Sequence, residues 1–259
     1  MKSKKETFAD LMERFKYHFD LRTVFDDFLT MTICAFGHNP QTKKSYDEDL
    51  YMQTIDRYKN SDLRHLFPKM LAALTTEMEQ RIGDHMGNDV LGDYYERNLP
   101  NKGLSQFFTP WPICEFMAAS LTGDDHEHVD PLRVLDPSCG SGRALMCSAN
   151  RLGWRHNFYG IDVDHTCVKM AVLNLFLNGV FHAEVMCANA LVPGDFRVSY
   201  VTSFLPFGIF RITDKERSKI WHMYQSSFAT KAKAVNVADI KLPSESEDDY
   251  RDGSQLTLF

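Results

Sequence analysis

The sequence predicts an α/β protein: a helical N-terminal region, then a sheet of the doubly wound, parallel type. Three observations predict it. Apolar residues recur at helical spacing over residues 1–100. From Arg133 onward, short β-rich runs alternate with helical ones, the pattern of strand–helix–strand units. A glycine-containing turn, "DPSCGSG", joins the first such strand to the first such helix, and sheets of this type take ligands beyond the carboxyl ends of their strands.

In chain order, Phe8, Leu11, Met12, Phe15 and Phe19 fall at helical spacing, and Val24, Phe25, Phe28 and Leu29 continue it. "GHNPQTKKS" is a loop by composition. Helical patterning resumes around Leu50–Tyr58. It continues through Leu66–Ile82, where Met70, Leu71, Leu74 and Met78 form a stripe and Pro68 suits a first helical turn. After "NLPNKGLSQFFTPWP" the texture changes. "RVLDPS" is a strand and turn, and "GRALMCSANRLG" a helix with Gly153 as its C-cap. "NFYGIDVD" is a strand, "HTCVKMAVLNLFLNG" a second glycine-ended helix, "AEVMCANAL" a strand and "RVSYVTSF" the next strand. "TDKERSKIWHMYQSSFATKAKA" reads as helix. Too little chain follows Gly208 for several further strands with their helices, so a shortened sheet is expected. The expected organisation is helical over residues 1–100, sheet-bearing over 101–243, and an acidic, flexible tail over 244–259.

The 259 residues suffice for one large domain or two smaller ones. No apolar run approaches the length of a membrane span. The basic N-terminus, "MKSKKETFADLMERF", has no apolar signal core behind it, so the cytoplasm is the expected compartment. The six cysteines, Cys34, Cys114, Cys139, Cys147, Cys167 and Cys187, include no CxxC pair and no histidine at metal spacing. They read as reduced thiols in the core, with no metal expected. The net charge is −6, whereas a protein that binds DNA by electrostatics alone carries a basic surplus. A role on DNA therefore requires a local basic surface or a partner. A dense acidic run, "SESEDDYRD", occupies residues 244–252.

The most informative stretch is "VLDPSCGSGRAL". Its strand delivers Asp136 to the carboxyl end, and Gly140 and Gly142 then turn the chain into a helix. Glycines suit a turn where a ligand approaches the backbone closely. Asp162 ends the next strand, "YGIDVD", at the spacing expected of an acid that accepts hydrogen bonds from ribose hydroxyls. Leu145 stands where a dinucleotide fingerprint has its third glycine, which argues against a dinucleotide. Each piece alone has a plainer reading. Asp136 could cap the following helix, Asp162 could be a strand-end turn residue, and Thr109 with Pro110 could start a helix. Their order along the chain favours one ligand site.

"QFFTP" (Gln106–Pro110), "DPSCGSG" (Asp136–Gly142), "GIDVD" (Gly160–Asp164) and "ANAL" (Ala188–Leu191) together resemble successive motifs of the adenine-specific DNA methyltransferase family. Within that family the likeness is in particular to the modification subunits of type I restriction systems and their plasmid and phage relatives, and it covers residues 90–210. The resemblance implies a Rossmann-like S-adenosylmethionine-dependent methyltransferase sheet, with S-adenosyl-L-methionine as cofactor. By it, Phe107, Phe108 and Thr109 would line the methionine end of that cofactor. Asp136, Pro137, Gly140 and Gly142 would hold its amino-acid moiety, Asp162 would bind the ribose, and Asn189 would meet the adenine.

The same family ends a strand in Asn-Pro-Pro-aromatic. There the Asn, or Asp, and a backbone carbonyl accept hydrogen bonds from the target amine while the aromatic ring stacks on the flipped base. The corresponding stretch here is "VTSFLPFGIF", residues 201–210. Aligned on Pro206, Phe207 and Gly208, Phe204 stands where the acceptor belongs and Leu205 where the first proline belongs. Ser203 comes one residue too early, and Phe207 is either a stacking platform or core packing. The candidate catalytic positions are Ser203, Phe204, Pro206 and Phe207, with a large loss of transfer rate expected.

The leading expectation is an S-adenosylmethionine-dependent DNA adenine-N6 methyltransferase-like protein, acting on DNA directly or through a specificity subunit. The alternative is a catalytically inactive relative that binds cofactor or a partner methylase subunit as a regulatory or tethering module. Transfer to a protein glutamine shares the loop chemistry and is disfavoured by "QFFTP". Arg211, Lys215, Arg217 and Lys219 read as a solvated helix face. The chain ends in Gln255, Leu256, Thr257, Leu258 and Phe259, which resembles the bacterial sliding-clamp-binding peptide Gln-Leu-x-Leu-Phe. Such a tether would raise the local concentration of DNA for a negatively charged protein.

Overall fold

Thr7 and Asp10 cap the first helix, α1 (Phe8–Glu13), reciprocally: each side chain accepts from the other's backbone N–H. The structure, a computed structural model, describes residues 5–37, 46–84, 87–99, 107–122, 131–153, 155–192 and 194–225. Asp20 caps α2 (Leu21–Phe36). With α3 (Glu48–Ile55) and α4 (Leu66–Gln80), these helices bury Phe8, Phe15, Phe25, Phe28, Met70 and Leu74 in the core. Asp89 caps α5 (Val90–Asn98), and α6 (Trp111–Thr122) follows. Pro110, rather than Thr109, immediately precedes α6, so the predicted helix start shifts by one residue.

The sheet runs β1 (Arg133–Asp136), β2 (Asn157–Asp162), β3 (Ala183–Cys187), β4 (Val198–Phe204) and β5 (Phe207–Ile212), neighbours in that order. β1, β2 and β3 are parallel and are joined by α7 (Arg143–Leu152) and α8 (His165–Leu177). That much is the predicted strand–helix alternation. β4 is a correction: it runs antiparallel to β3, with Cys187 opposite Val198. Only residues 188–197 separate the two strands, fewer than the dozen or so that a parallel crossover needs. β5 is a second correction, since "FGIFRI" pairs back onto β4 with Phe204 opposite Phe207. The turn between them is Leu205-Pro206, joined by a cis peptide bond.

Alternation along the strands sorts the two faces of the sheet. Phe158, Ala183, Val185 and Cys187 face α7 and α8, whereas Tyr159, Ile161 and Met186 face the other way, onto Ile220 of α9 (residues 219–225). Every residue of α8 from Cys167 to Phe176 is buried, because the helix lies between the sheet and the helices α2 and α5. One continuous core therefore runs from Phe8 through α8 to Ile209. The long helix expected after Thr213 is interrupted. A single 3-10 turn at Lys215–Arg217 precedes Ser218, whose Oγ accepts from Trp221 N at 3.1 Å and donates to the buried Glu184 at 2.5 Å. Among the described residues no helix is long and apolar enough to cross a membrane, and the six cysteines are buried. Gln106, most of the "GHNPQTKKS" loop, the acidic tail and the terminal peptide with Gln255, Leu256, Leu258 and Phe259 lie outside the described residues.

Candidate cofactor site

β1 and β2 deliver two carboxylates side by side, Asp136 and Asp162. Asp136 Oδ1 accepts from Ser138 N at 3.0 Å. Asp162 Oδ2 accepts from Gly140 N at 2.9 Å, and its Oδ1 from Asp164 N at 2.8 Å. The glycine loop is thereby fastened to the neighbouring strand. Gly140 (φ +53°) and Gly142 (φ +90°) adopt left-handed backbone, which residues with a Cβ avoid. A Cβ on Gly140 would come within 2.7 Å of Phe108 Cδ1, and one on Gly142 within 3.2 Å of Ala171 Cα in α8.

Burial pushes both carboxyls above the usual aspartate range, against the pull of the loop N–H groups; the neighbouring Asp162 charge raises Asp136 further. Neither carboxyl forms a salt bridge among the described residues. Two partly buried carboxylates without a salt bridge among the described residues favour a ligand that brings positive charge and hydroxyl donors.

Phe108 forms the facing wall. Its N–H donates to Glu96 Oε1 at 2.7 Å. Its ring stacks on Tyr95 with centroids 5.9 Å apart, and the Arg143 guanidinium lies 5.4 Å from its centroid. Phe107 is 87 % exposed, so its ring only edges the site. A space of about 60 Å³ lies between Phe107, Phe108, Gly140 and Arg143, and one of about 260 Å³ lies behind Thr109 and Pro137; Asp136 and Ser138 line both. Asn189 follows β3, where Ala188 N donates to Asp162 O, and its side-chain oxygen is held in a turn by Leu191 N at 3.0 Å. The structure thus brings Phe107, Phe108, Thr109, Asp136, Pro137, Gly140, Gly142, Asp162 and Asn189 to one end of the sheet.

It does not bring Ser203, Phe204, Pro206 and Phe207 there. Because β4 runs against β3, Phe204 lies past the amino end of β3, at the opposite end of the sheet from the glycine loop. A catalytic role for these four needs them beside the cofactor loop, and the direction of one strand removes them from it. Phe207 packs on Phe176 and Phe181, with centroids 4.9 and 5.5 Å away, and Phe204 on Phe181 at 5.6 Å. Gly208 admits no Cβ, which would lie 2.2 Å from Phe36 O at the end of α2. A cavity of about 750 Å³ lies at this end, beneath Ser203, Phe204 and Leu205.

A buried polar network unseen in the sequence backs the glycine loop. Asp89, 2 % exposed, accepts from Ser141 Oγ at 2.5 Å, Arg143 Nε at 2.7 Å and Asn174 Nδ2 at 2.8 Å. Arg143 also donates to Asp93 at 3.0 Å and Glu96 at 2.9 Å. One signal was available. Arg143 opens α7, where a cation opposes the helix dipole, and Asp89, Asp93 and Glu96 recur at helical spacing.

The family described as N-6 DNA Methylase matches residues 86–240, more than half of the chain. The Type I restriction enzyme MpnII methylase subunit of Mycoplasma pneumoniae is 28 % identical over 180 residues, covering 66 % of this chain. The chain spans about a third, 33 %, of that relative's length. A crystal structure of the type I restriction-modification system methyltransferase subunit from Streptococcus thermophilus aligns over 69 % of this chain and 56 % of its own, at 15 % identity and a TM-score of 0.34. By the extent of the family match, which takes in the glycine loop and all five strands, this chain belongs to the N-6 DNA methylase family.

Proposed function

We propose that the chain binds S-adenosyl-L-methionine at the glycine loop and serves DNA adenine-N6 methylation, in the cytoplasm. One observation carries the reading: two partly buried carboxylates, Asp136 and Asp162, flank bare glycine backbone and form no salt bridge among the described residues. The cofactor supplies an activated methyl group on a positively charged sulfur, together with an ammonium and ribose hydroxyls. Asp136 suits the ammonium and Asp162 the hydroxyls. Phe107, Phe108 and Thr109 would shield the methionine end from water, Pro137, Gly140 and Gly142 would let the ligand approach the backbone, and Asn189 would offer its amide to the base. Titration calorimetry with S-adenosylmethionine tests this; no heat with folded protein would sink it.

A second reading, a relative that holds cofactor or a partner methylase subunit without transferring the methyl group alone, is favoured by the position of Ser203, Phe204, Pro206 and Phe207 at the far end of the sheet. Labelled methyl transfer to unmethylated DNA, with and without a type I methylase or specificity subunit, separates the two. Engagement with DNA would come through such a partner. Arg211 is already paired with Asp47 at 2.6 Å and Lys215 lies 4.7 Å over Trp221, so the basic cluster is partly committed within the protein. Gln255, Leu256, Leu258 and Phe259 would supply a tether to a sliding clamp, tested by co-elution with and without the pentapeptide.

A further inference from the structure

The walls of the cofactor site come from three separate parts of the chain: the Phe107–Thr109 segment, the glycine loop, and the turn after β2. All three are tied to one short helix. Glu96 accepts from Phe108 N at 2.7 Å, and Tyr95 stacks on the Phe108 ring. Asp89 accepts from Ser141 Oγ in the glycine loop at 2.5 Å and from Arg143 directly after it at 2.7 Å. Tyr95 Oη donates to Asp164 Oδ2 at 3.2 Å, and Asp164 N in turn donates to Asp162 Oδ1 at 2.8 Å.

We propose that α5 is the template of the site, with Asp89, Tyr95 and Glu96 as positioning residues that fix its three walls relative to one another. The inference rests on the cofactor reading above and adds what sets the affinity. A buried ion-pair network is a poor source of stability, since well-packed apolar residues often serve as well. Here, however, the hydrogen bonds end on groups that line the cavity. Phe108 must stay close enough to Gly140 to exclude a Cβ, and its backbone is held there by Glu96. Arg143 lies against the same ring at the start of α7, against the helix dipole. The α5 acids neutralise it and keep it from swinging into the site. Walls held in advance spare the ligand the cost of ordering them.

Glu96→Ala and Glu96→Gln test this, since glutamine can keep its one carbonyl oxygen on Phe108 N and lose only the contact with Arg143, whereas alanine loses both. The probe is S-adenosylmethionine, titrated by calorimetry, with thermal melting of the free protein alongside. Loss of one charge-assisted hydrogen bond to a wall predicts about tenfold weaker binding for Glu96→Ala. Glu96→Gln should stay within about threefold of the unaltered protein, and both variants should melt within a few degrees of it. Equal affinities for the unaltered protein and Glu96→Ala overturn the proposal. So does an equal loss in Ala and Gln, which marks a charge effect rather than positioning of Phe108. An unaltered protein that fails to bind overturns the cofactor reading itself, and the template with it.

Discussion

The two ends of the sheet are built for different work. At the carboxyl ends of β1, β2 and β3 the chain presents desolvated carboxylates, left-handed glycines and a facing aromatic wall. At the amino ends it presents an apolar cavity beneath a turn whose Phe204, Leu205 and Phe207 are 57 %, 84 % and 53 % exposed. The sequence motifs for both ends lie along one stretch in an order that suggests a single site. Strand direction separates them. A motif at the end of a strand reaches the end to which that strand runs, and β4 runs away from the glycine loop.

The contrast can be broken or sharpened by substitution, beginning with the largest effect. Asp89→Ala leaves the nearly buried Arg143 with only Asp93 and Glu96. It should cost about 3 kcal/mol of stability in denaturant unfolding, since the carboxyl-end architecture is anchored there. Gly140→Ala meets both a left-handed backbone and Phe108. Strain of about 2 kcal/mol predicts about thirtyfold weaker cofactor binding by calorimetry.

Asp136→Asn keeps an acceptor for Ser138 N but loses the charge. About tenfold weaker binding is expected, with a melting temperature at neutral pH that rises, because the desolvated charge is removed. The pH dependence carries a sign. Asp136 must be ionised to hold a cation, and its folded value is raised above 3.8, so affinity should fall, as pH drops, earlier than for an ordinary aspartate. For the stability of the free protein the sign is reversed. The fold favours the protonated carboxyl, so its contribution is present at acid pH and is lost as pH rises through the folded value. Calorimetric titrations across that range should show a steep edge in the unaltered protein and a shallower one in Asp136→Asn, where Asp162 alone of the pair still titrates. The smallest effect is expected at the other end. Phe204→Asn restores the family's acceptor residue by sequence, yet its place at the amino end of the sheet predicts no gain in labelled methyl transfer to DNA. A gain would show that this turn works beside the cofactor after all.

Much of the carboxyl end was legible because its signals are local. Gly142 and Gly153 bracket α7, Asp136 and Asp162 close two apolar strands, and Gly179 follows α8. Those features depend on neighbours within a few residues. The direction of β4 does not, because alternation of side chains is the same whichever way a strand points. Only the short connection over residues 188–197 carried the information, and it had to be read as a length rather than a motif. β5 was hidden for a related reason: "FGIFRI" begins inside a Pro-Phe-Gly that read as a loop by family likeness, yet it forms a hairpin arm with Ser203 opposite Gly208. The α5 network joins Asp89 to Arg143 and Asn174. Such pairings, distant along the chain, leave no periodic trace.

The short links between β3, β4 and β5 also bear on how the chain is assembled in time. Pairing Phe204 with Phe207, or Cys187 with Val198, closes a small loop. Pairing Arg133 with Asn157, or Asp89 with Arg143, closes a much larger one. Loop-closure entropy rises with the length enclosed, and distant pairings slow folding. The β3–β4–β5 meander should therefore acquire hydrogen-exchange protection early in refolding, and the glycine loop late. Competence to hold a ligand is then the last property the molecule gains, after most of its secondary structure is already in place.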